Sequence, residues 1–511
     1  MLVRRAWIAS LALVTSLAGC GHAPSPAATV SEGMTAQGLR TGSSNWRDDV
    51  IYFAMLDRFN DGDRSNDFNV DRSNPGGFHG GDIQGLIDKL DYLQALGVTT
   101  IWVSPLLQND ETPLGSTNLW GYHGYWTKDF TTIDKHLGTT AKAQELVTKA
   151  HAKGLKILLD VVCNQAGYTF PVNDPKYAGW FHHNGNIQDW NNQWWLENGS
   201  LFGLPDFAQE NPAVASFLID TYFGWAKTLG VDGFRLDAVK HVPKSFWVQF
   251  NQQAQARGGS SFLTLGEVLS GDAGYVADYQ RNAGFQSLFD FPFYYTFDNV
   301  FAQGGSMRQL GVRFAQDGAY ADATMLSPFL DNHDVPRFLT RAGGDLTKLK
   351  VALACLLTIR GIPMVYYGTE VGMAGGGDPD NRRDMAFGSN EPMRAYTQSL
   401  LAIRKRSTAL QHGRQLEMWQ DDQVYAYLRQ SPDAEAIVAL NNTAGSQTRT
   451  LPLRAECRMP DGTQLVDQLT NETVAVQNRQ VTLTMGPRQA RILLPLANPN
   501  AKPPVQRRKK K

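Results

Sequence analysis

Four short apolar runs in this chain end in acidic or amide residues: Asp160-Val-Val-Cys-Asn164, Gly233-Phe-Arg-Leu-Asp237, Gly266-Glu267 and Asp331-Asn-His-Asp334. One such end is an ordinary helix cap or a surface charge. Three or four gathered on one rim repel each other, which is costly unless they perform a task or bind a cation. Two close carboxylates suit chemistry at an acetal carbon, where one attacks and the other serves as acid and then base. Arg235 stands two residues before Asp237 and shares its face of a strand of period two. Its guanidinium can hold neighbouring carboxylates ionised and oriented.

Such ends need a frame. Strand patterns at 48–55, 98–103, 155–162, 231–236, 262–268 and 362–366, with weaker ones at 285–289 and 324–330, alternate with helical periodicity. The helical runs are 83–96, 141–152, 214–229, 245–256 and 346–357, and Gly97, Gly154 and Gly230 stop three of them. Eight strands separated mainly by helices predict an α/β fold, a (β/α)8 TIM barrel over 46–163 and 213–408. In that barrel chemistry belongs at the C-terminal ends of strands, where the four acidic ends lie. Residues 164–212 lack clean periodicity, and a structureless loop of that length is improbable, so an inserted irregular subdomain is expected there. From 409 to 496 short alternating runs such as Val424–Leu428 and Ala436–Leu440 predict an all-β sandwich.

The four motifs, read as Asp160-Val-Val-Cys-Asn-Gln165, Gly233-Phe-Arg-Leu-Asp-Ala-Val-Lys-His241, Gly266-Glu-Val268 and Phe329-Leu-Asp-Asn-His-Asp334, resemble those of glycoside hydrolase family 13, the α-amylase superfamily. A shorter fifth motif is Leu204-Pro-Asp206, and the resemblance runs from about residue 47 to 495. It implies Asp237 as nucleophile, Glu267 as acid/base and Asp334 as the carboxylate that stabilises distorted substrate. It further implies that His123, Tyr125 and His333 line the reacting sugar, that Asp378 and Arg382 contact donor-side sugars, that Lys240 lies on the acceptor side, and that Phe202 stands where cyclodextrin-forming enzymes carry a central aromatic residue. The chain departs from the family at Gln165, where a histidine is usual. Its amide is expected to donate to the primary hydroxyl of the reacting glucose, without the option of charge.

Asp61, Asp63, Asn66 and Asp67 crowd onto one glycine-containing loop, and hard oxygen ligands on a flexible loop suit Ca²⁺. The string resembles the first calcium site of cyclodextrin glycosyltransferases and related amylases, with Gly80 and Asp82 completing it. The same resemblance implies a second calcium site from Asn164, Asp206 and the backbone carbonyl of His241.

The formal net charge of −1 at pH 7 gives no steering toward nucleic acid. No obligate protein partner is evident, and 12 Trp and 17 Tyr provide flat rings on which sugars can stack. Arg4, Arg5 and an apolar run to Leu17-Ala-Gly-Cys20 read as a lipoprotein signal peptide over 1–19, with Cys20 acylated as a membrane anchor. Gly21 lacks an acidic retention signal, which points to the outer membrane. Residues 20–45 read as a flexible tether and 497–511 as a basic disordered tail. Cys163, Cys355 and Cys457 are expected to be buried free thiols.

The function expected from these residues is retaining, endo-acting hydrolysis of α-1,4-glucosidic bonds in starch, maltodextrins or related α-glucans. Alternatives are a cyclomaltodextrinase or neopullulanase, a 4-α-glucan transglycosylase, or a catalytically silent glycan-binding lipoprotein. Phe202 before Leu204-Pro-Asp206 favours transfer. The early end of the chain, without a starch-binding domain, favours hydrolysis. The intact acidic residues disfavour the silent reading.

Overall fold

The computed structural model describes Leu39 and residues 45–496. The expected leader, the expected acylation site at Cys20, most of the expected tether and the basic tail lie outside the described residues.

The barrel strands are β1 (Ile51–Ala54), β2 (Thr100–Val103), β5 (Lys156–Val161), β6 (Gly233–Leu236), β7 (Leu263–Gly266), β8 (Ser287–Leu288) and β9 (Met364–Tyr366), all parallel to their neighbours. They form one sheet in the order β8-β7-β6-β5-β2-β1-β9. The remaining barrel position is filled by Ser327 and Phe329, which bridge to Phe289 and Met364. The run expected as a strand over 324–330 is therefore not a continuous one. Ala323–Met325 forms a 3-10 turn, and Pro328 has no N–H to extend a ladder. Met364 N still donates to Pro328 O at 2.9 Å, so the ring of strands closes. The strand expected over 285–289 shrinks to two residues.

The helix expected over 83–96 is two helices, Ile83–Asp88 and Leu90–Leu96, divided at Lys89, whose ψ of 5° leaves the helical range. The apolar spacing survives because the break keeps Ile83, Leu86, Leu90, Leu93 and Leu96 on the buried side. A hairpin of β3 (Leu107–Asn109) and β4 (Thr127–Ile133) has no counterpart among the sequence expectations. Its buried positions include Gln108, Asn109 and Thr127, so the usual apolar alternation is absent. With it, Phe130, Phe170, Phe181 and Phe207 build a small aromatic core under the inserted segment, which carries the helix Gln193–Asn198.

The C-terminal strands are β10 (Arg414–Gln420), β11 (Val424–Gln430), β12 (Glu435–Asn441), β13 (Gln447–Pro452), β14 (Gln464–Asp467), β15 (Thr473–Ala475), β16 (Gln480–Met485) and β17 (Ala490–Pro495). They form an antiparallel sheet β10-β11-β12-β17-β14-β15 and a second pair β13-β16. Alternation along β11 and β12 decides two packings at once. Tyr425, Tyr427, Val438 and Leu440 join the barrel core, while Ala426, Leu428, Ile437 and Ala439 join the sandwich core. Cys163, Cys355 and Cys457 are buried and free. Among the described residues no helix is long and apolar enough to cross a membrane.

Candidate active site

Strand register builds the centre. Leu236 of β6 pairs with Gly266 of β7, so Asp237 and Glu267, each one residue further on, emerge side by side. Asp237 N donates to Val161 O at 2.9 Å and Glu267 N to Leu236 O at 2.9 Å, which fixes both backbones at the strand ends. Asp160 of β5 pairs with Arg235 of β6. The fully buried Arg235 guanidinium sits below the rim, with Nη1 2.5 Å from Asp237 Oδ1 and 3.1 Å from Asp160 Oδ1. Its Nη2 lies 2.8 Å from Glu267 Oε1, close enough for ion pairing though not aligned as a hydrogen bond. Trp102 stacks on Phe53 at 3.6 Å, lies beneath the guanidinium at 4.7 Å and donates its indole N–H to Asp160 at 2.9 Å.

After Asp237 the chain turns through Ala238, whose φ of +49° is uncommon for a residue with a side chain. The turn aims Ala238 N–H at Glu267 Oε2, 3.1 Å away. Asp334 comes from the loop after the seventh barrel position. Its backbone N–H donates to Asn332 Oδ1, and its carboxylate lies 3.5 Å from both His333 Nε2 and Arg382 Nη2.

Burial pushes the Asp237 carboxyl well above its ordinary range and lifts Asp160 to about 6, and in both Arg235 opposes the rise. Burial also raises Glu267, Arg235 pulls it down, and Asp334 adds to the rise. One guanidinium cannot hold every nearby carboxyl ionised. Asp237 has the shortest contact with it and is the carboxyl best kept as an anion. Glu267 lies within hydrogen-bonding reach of Asp334, and two carboxyls can share such a bond only through a proton.

A cavity of about 610 Å³ opens over these groups. His123, Tyr125, Gln165, Phe202, Lys240, His333, Asp378 and Arg382 all border it with the three carboxylates. Tyr125 donates to Asp160 at 2.9 Å, and its ring stacks on His333 with centroids 5.2 Å apart. His123 Nδ1 accepts from Tyr125 N at 3.0 Å, so the ring proton sits on Nε2. Burial and Arg382 keep both His123 and His333 well below the ordinary histidine value, hence neutral. Arg382 donates to His333 O at 2.9 Å and pairs with Asp378 at 3.1 Å. Lys240 Nζ donates to Leu269 O at 3.0 Å, which ties the loops after β6 and β7 together. Phe202 is 77% exposed with a φ of +52°, and Tyr168 holds its carbonyl at 3.0 Å.

Gln165 differs from its expectation as a free donor. Its Nε2 reaches Tyr125 O at 3.4 Å, while its buried Oε1 has no partner. A hydroxyl arriving at this amide would therefore donate to Oε1.

The residues expected to hold calcium fit a cation unevenly. At the first site, buried oxygens of Asp61, Asn66 and Asp67 lack hydrogen-bond partners. A Cβ on Gly80, whose φ is +87°, would fall 2.5 Å from Asp67 Oδ1, so only glycine leaves that oxygen its room. Asp63 instead accepts from Ser65, and both oxygens of Asp82 accept donors from Gly62, Asp63, Asn66 and Gly85. Those two residues shape the loop, and the open oxygens lie on the others. At the second site both ends of the wholly buried Asn164 amide and Asp206 Oδ1 lack partners. Burial lifts Asp206 to about 7, with His182 opposing. The His241 ring, by contrast, faces Leu196 O at 3.1 Å, so only its backbone is available to a cation. Among the described residues no three His, Cys, Asp or Glu side chains form a metal group by themselves. A cation here would need amide and carbonyl oxygens as well, which suits Ca²⁺.

Asp160 stands within one of the four motifs, but the sequence assigns it no part in the site and does not mark Trp102. Trp190, near Phe202, and Leu269, whose carbonyl accepts from Lys240, also border the cavity. Asp160 was within reach of the same strand-end argument, whereas no local pattern marks the other three.

Comparison with known proteins agrees with this geometry. Residues 53–432 match the family model for the α-amylase catalytic domain, and residues 416–492 that for the maltogenic amylase C-terminal domain. The chain is 42% identical over 475 residues to a β/α-amylase of Paenibacillus polymyxa, an alignment covering 88% of this chain and 38% of that protein. It is similar to the crystal structure of an Anoxybacillus α-amylase, with TM-score 0.84, 38% identity, and 89% and 99% of the two chains covered. It is also similar to CldA, a cyclomaltodextrin glucanotransferase with a three-domain ABC distribution, with TM-score 0.80, 31% identity, and 87% and 99% coverage.

Proposed function

Because the chain belongs to the α-amylase family of glycoside hydrolases, we propose that it cleaves α-1,4-glucosidic bonds of starch, maltodextrins or related α-glucans with retention, and that glucan hydroxyls compete with water for the intermediate. The observation that carries this reading is the pairing of β6 with β7, which sets Asp237 and Glu267 side by side over one buried guanidinium.

In the first step Asp237 Oδ attacks the anomeric carbon while Glu267 passes its proton to the glycosidic oxygen. The acceptor-side sugar leaves with that proton, and the glucosyl unit stays esterified to Asp237. Glu267, now a carboxylate, takes a proton from water or from a sugar hydroxyl. That oxygen attacks the anomeric carbon and the ester bond to Asp237 breaks, which restores both residues. Ala238 N–H stabilises the Glu267 carboxylate between the steps. Asp334, His333 and His123 hold ring hydroxyls, and bonds that tighten as the ring flattens lower the barrier. The neutral His123 can donate from Nε2 without adding positive charge beside the developing cation.

Transfer is included because the acceptor side is apolar and open, with Phe202, Trp190 and Leu269 presenting faces on which a second sugar can seat. The early end of the chain loses its weight as a sign of hydrolysis, since a three-domain glucanotransferase is matched along nearly its whole length. Trapping with a fluorinated glucosyl donor should label Asp237. The ratio of glucose-unit transfer to hydrolysis, measured from starch, pullulan and cyclodextrin, tests the rest. A label on another carboxylate, or no turnover of any of the three, overturns the reading.

The reading includes Ca²⁺ at the loop of Asp61, Asn66, Asp67 and Gly80, and a second ion at Asn164, Asp206 and His241. When bound, the ions would cross-link loops and supply no chemistry to the reaction. It also includes acylation of Cys20, with the catalytic domain outside the cytoplasm at the outer membrane. The apolar run ending in Leu17-Ala-Gly-Cys20 supports that placement.

A further inference from the structure

Nine large apolar side chains stand exposed among the described residues. Trp190, Phe202 and Leu269 belong to the acceptor side of the cavity described above. Trp194, 52% exposed, does not border that cavity, and the reaction as derived gives it nothing to do.

The position of Trp194 is fixed by its neighbours. Asn192 caps the helix Gln193–Asn198 and accepts from the backbone N–H groups of Trp194 and Trp195. Gln193 Nε2 donates to Lys240 O at 3.2 Å, and Gln193 Oε1 accepts from the Tyr275 hydroxyl at 2.7 Å. The short helix is thus fastened to the segment after β6 and to the helix after β7, on the acceptor side of the cleft. Trp195, partly buried, meets Trp194 edge to face, with centroids 5.1 Å apart and planes at 80°. Trp194 is therefore an indole braced by its neighbour and half open to solvent. Trp102 and Trp247, by comparison, are wholly buried. Asn191 and Asn192 are exposed beside it and carry amides suited to sugar hydroxyls. Trp194 follows Trp190, at the cavity, by four positions, at most about 14 Å of chain, a gap that a few sugar units can bridge.

We propose that Trp194, supported by Trp195, is a second platform for α-glucan outside the cleft, and that it grips a polymeric chain whose adjoining segment occupies the acceptor side. The inference rests on the reading of the substrate as α-glucan. The C–H face of a glucose ring would stack on the indole while the neighbouring amides meet its hydroxyls.

The test compares the full chain with Trp194→Ala, Trp194→Gln, Trp194→Phe and Trp195→Ala, each checked for an unchanged melt. Retardation in native gels containing soluble amylopectin reports binding, and p-nitrophenyl maltotrioside reports the cleft alone. Trp194→Ala and Trp194→Gln should weaken retardation about five- to tenfold, the range expected for loss of one stacked ring. Trp194→Phe should keep most of it, Trp195→Ala should lose part, and kcat/KM on the trioside should stay within about twofold of the parent, a difference too small to signal a lost contact. Unchanged retardation in the alanine and glutamine variants overturns the inference, as does an equal loss on the short substrate. If the parent fails to cleave amylopectin and the trioside, the reading of the active site fails instead, and the retardation of the parent still decides whether glucan binds.

Discussion

Replacing Gln165 by alanine should lower kcat/KM by about two- to tenfold without making the fold less stable. The magnitude follows from its surroundings. Gln165 is 3% exposed, its Nε2 contact with Tyr125 O is long at 3.4 Å, and its Oε1 is buried without a partner. A good N–H···O bond is about 2.7–3.2 Å, so little stability resides in the existing contact. Truncation removes a buried acceptor whose desolvation costs about 1–3 kcal/mol, which offsets the small void it leaves. A substrate hydroxyl that donates to Oε1 contributes roughly 0.5–1.5 kcal/mol net, and 1.36 kcal/mol is tenfold in rate. The assay uses α-glucosyl fluoride and its 6-deoxy analogue as donors, with kcat and KM for the parent, Gln165→Ala and Gln165→His. The parent should discriminate against the deoxy donor, and Gln165→Ala should lose the part of that discrimination due to this contact. Gln165→His presents a donor in place of the carbonyl and tests whether the pocket is shaped around the amide. Unchanged kinetics in Gln165→Ala, or full discrimination retained, would refute the contact with the primary hydroxyl.

Glu267 is raised first by burial and further by Asp334, so Asp334→Asn should move the alkaline limb of the kcat/KM profile to lower pH, independent of the loss in rate; a limb that stays in place refutes the coupling. Asp290 is lowered, since its ion pairs with Arg313 and Arg360, at 2.6 and 2.8 Å, outweigh its complete burial. Its contribution is full above the ordinary aspartate pKa and fades as pH falls through the depressed folded value. Asp290→Asn, which removes the buried anion between the two guanidiniums and leaves both with Asp317 alone, should cost about 3 kcal/mol in denaturant unfolding at neutral pH, the lower end for a broken buried pair. Chelation of calcium should lower the melting temperature, because an ion bound only to the native state stabilises it; equal melts after metal analysis confirms removal exclude a structural ion. Cys20→Ser should release the protein from membranes, and persistent attachment argues against acylation.

Much of the frame is legible because its strands are short runs of β-branched and aliphatic residues, three of them preceded by the glycine that stops a helix. The exceptions have physical causes. Pro328 breaks the ladder where the barrel closes, so periodicity overstates that strand. The β3–β4 hairpin buries amides, and Asn109 donates to Leu107 O and Gly124 O, a satisfaction that no hydrophobic pattern announces. Lys89 interrupts a helix without disturbing its apolar face. In the site, motif spacing pointed to the residues that border the cavity. It could not say that Trp102 lies under Arg235, or that Gln165 turns its donor toward Tyr125, because those facts depend on strand neighbours distant in the chain.

The sheet that carries β11 and β12 has apolar residues on both sides, one set against the barrel and the other within the sandwich. Thr358 and Tyr427 hydroxyls meet across that boundary at 2.6 Å, and buried Arg429 donates to Gly413 O at 2.8 Å beside it. The C-terminal unit is thus a wall shared by two rooms rather than an appendage. A truncation before β10 would leave the helix Leu346–Thr358 facing solvent and invite aggregation. Exchanging this unit between relatives should succeed only when both faces of the shared sheet are transplanted with their counterparts. For the same reason limited proteolysis of the linker near Gly413 should yield a nicked complex that stays associated instead of a free barrel.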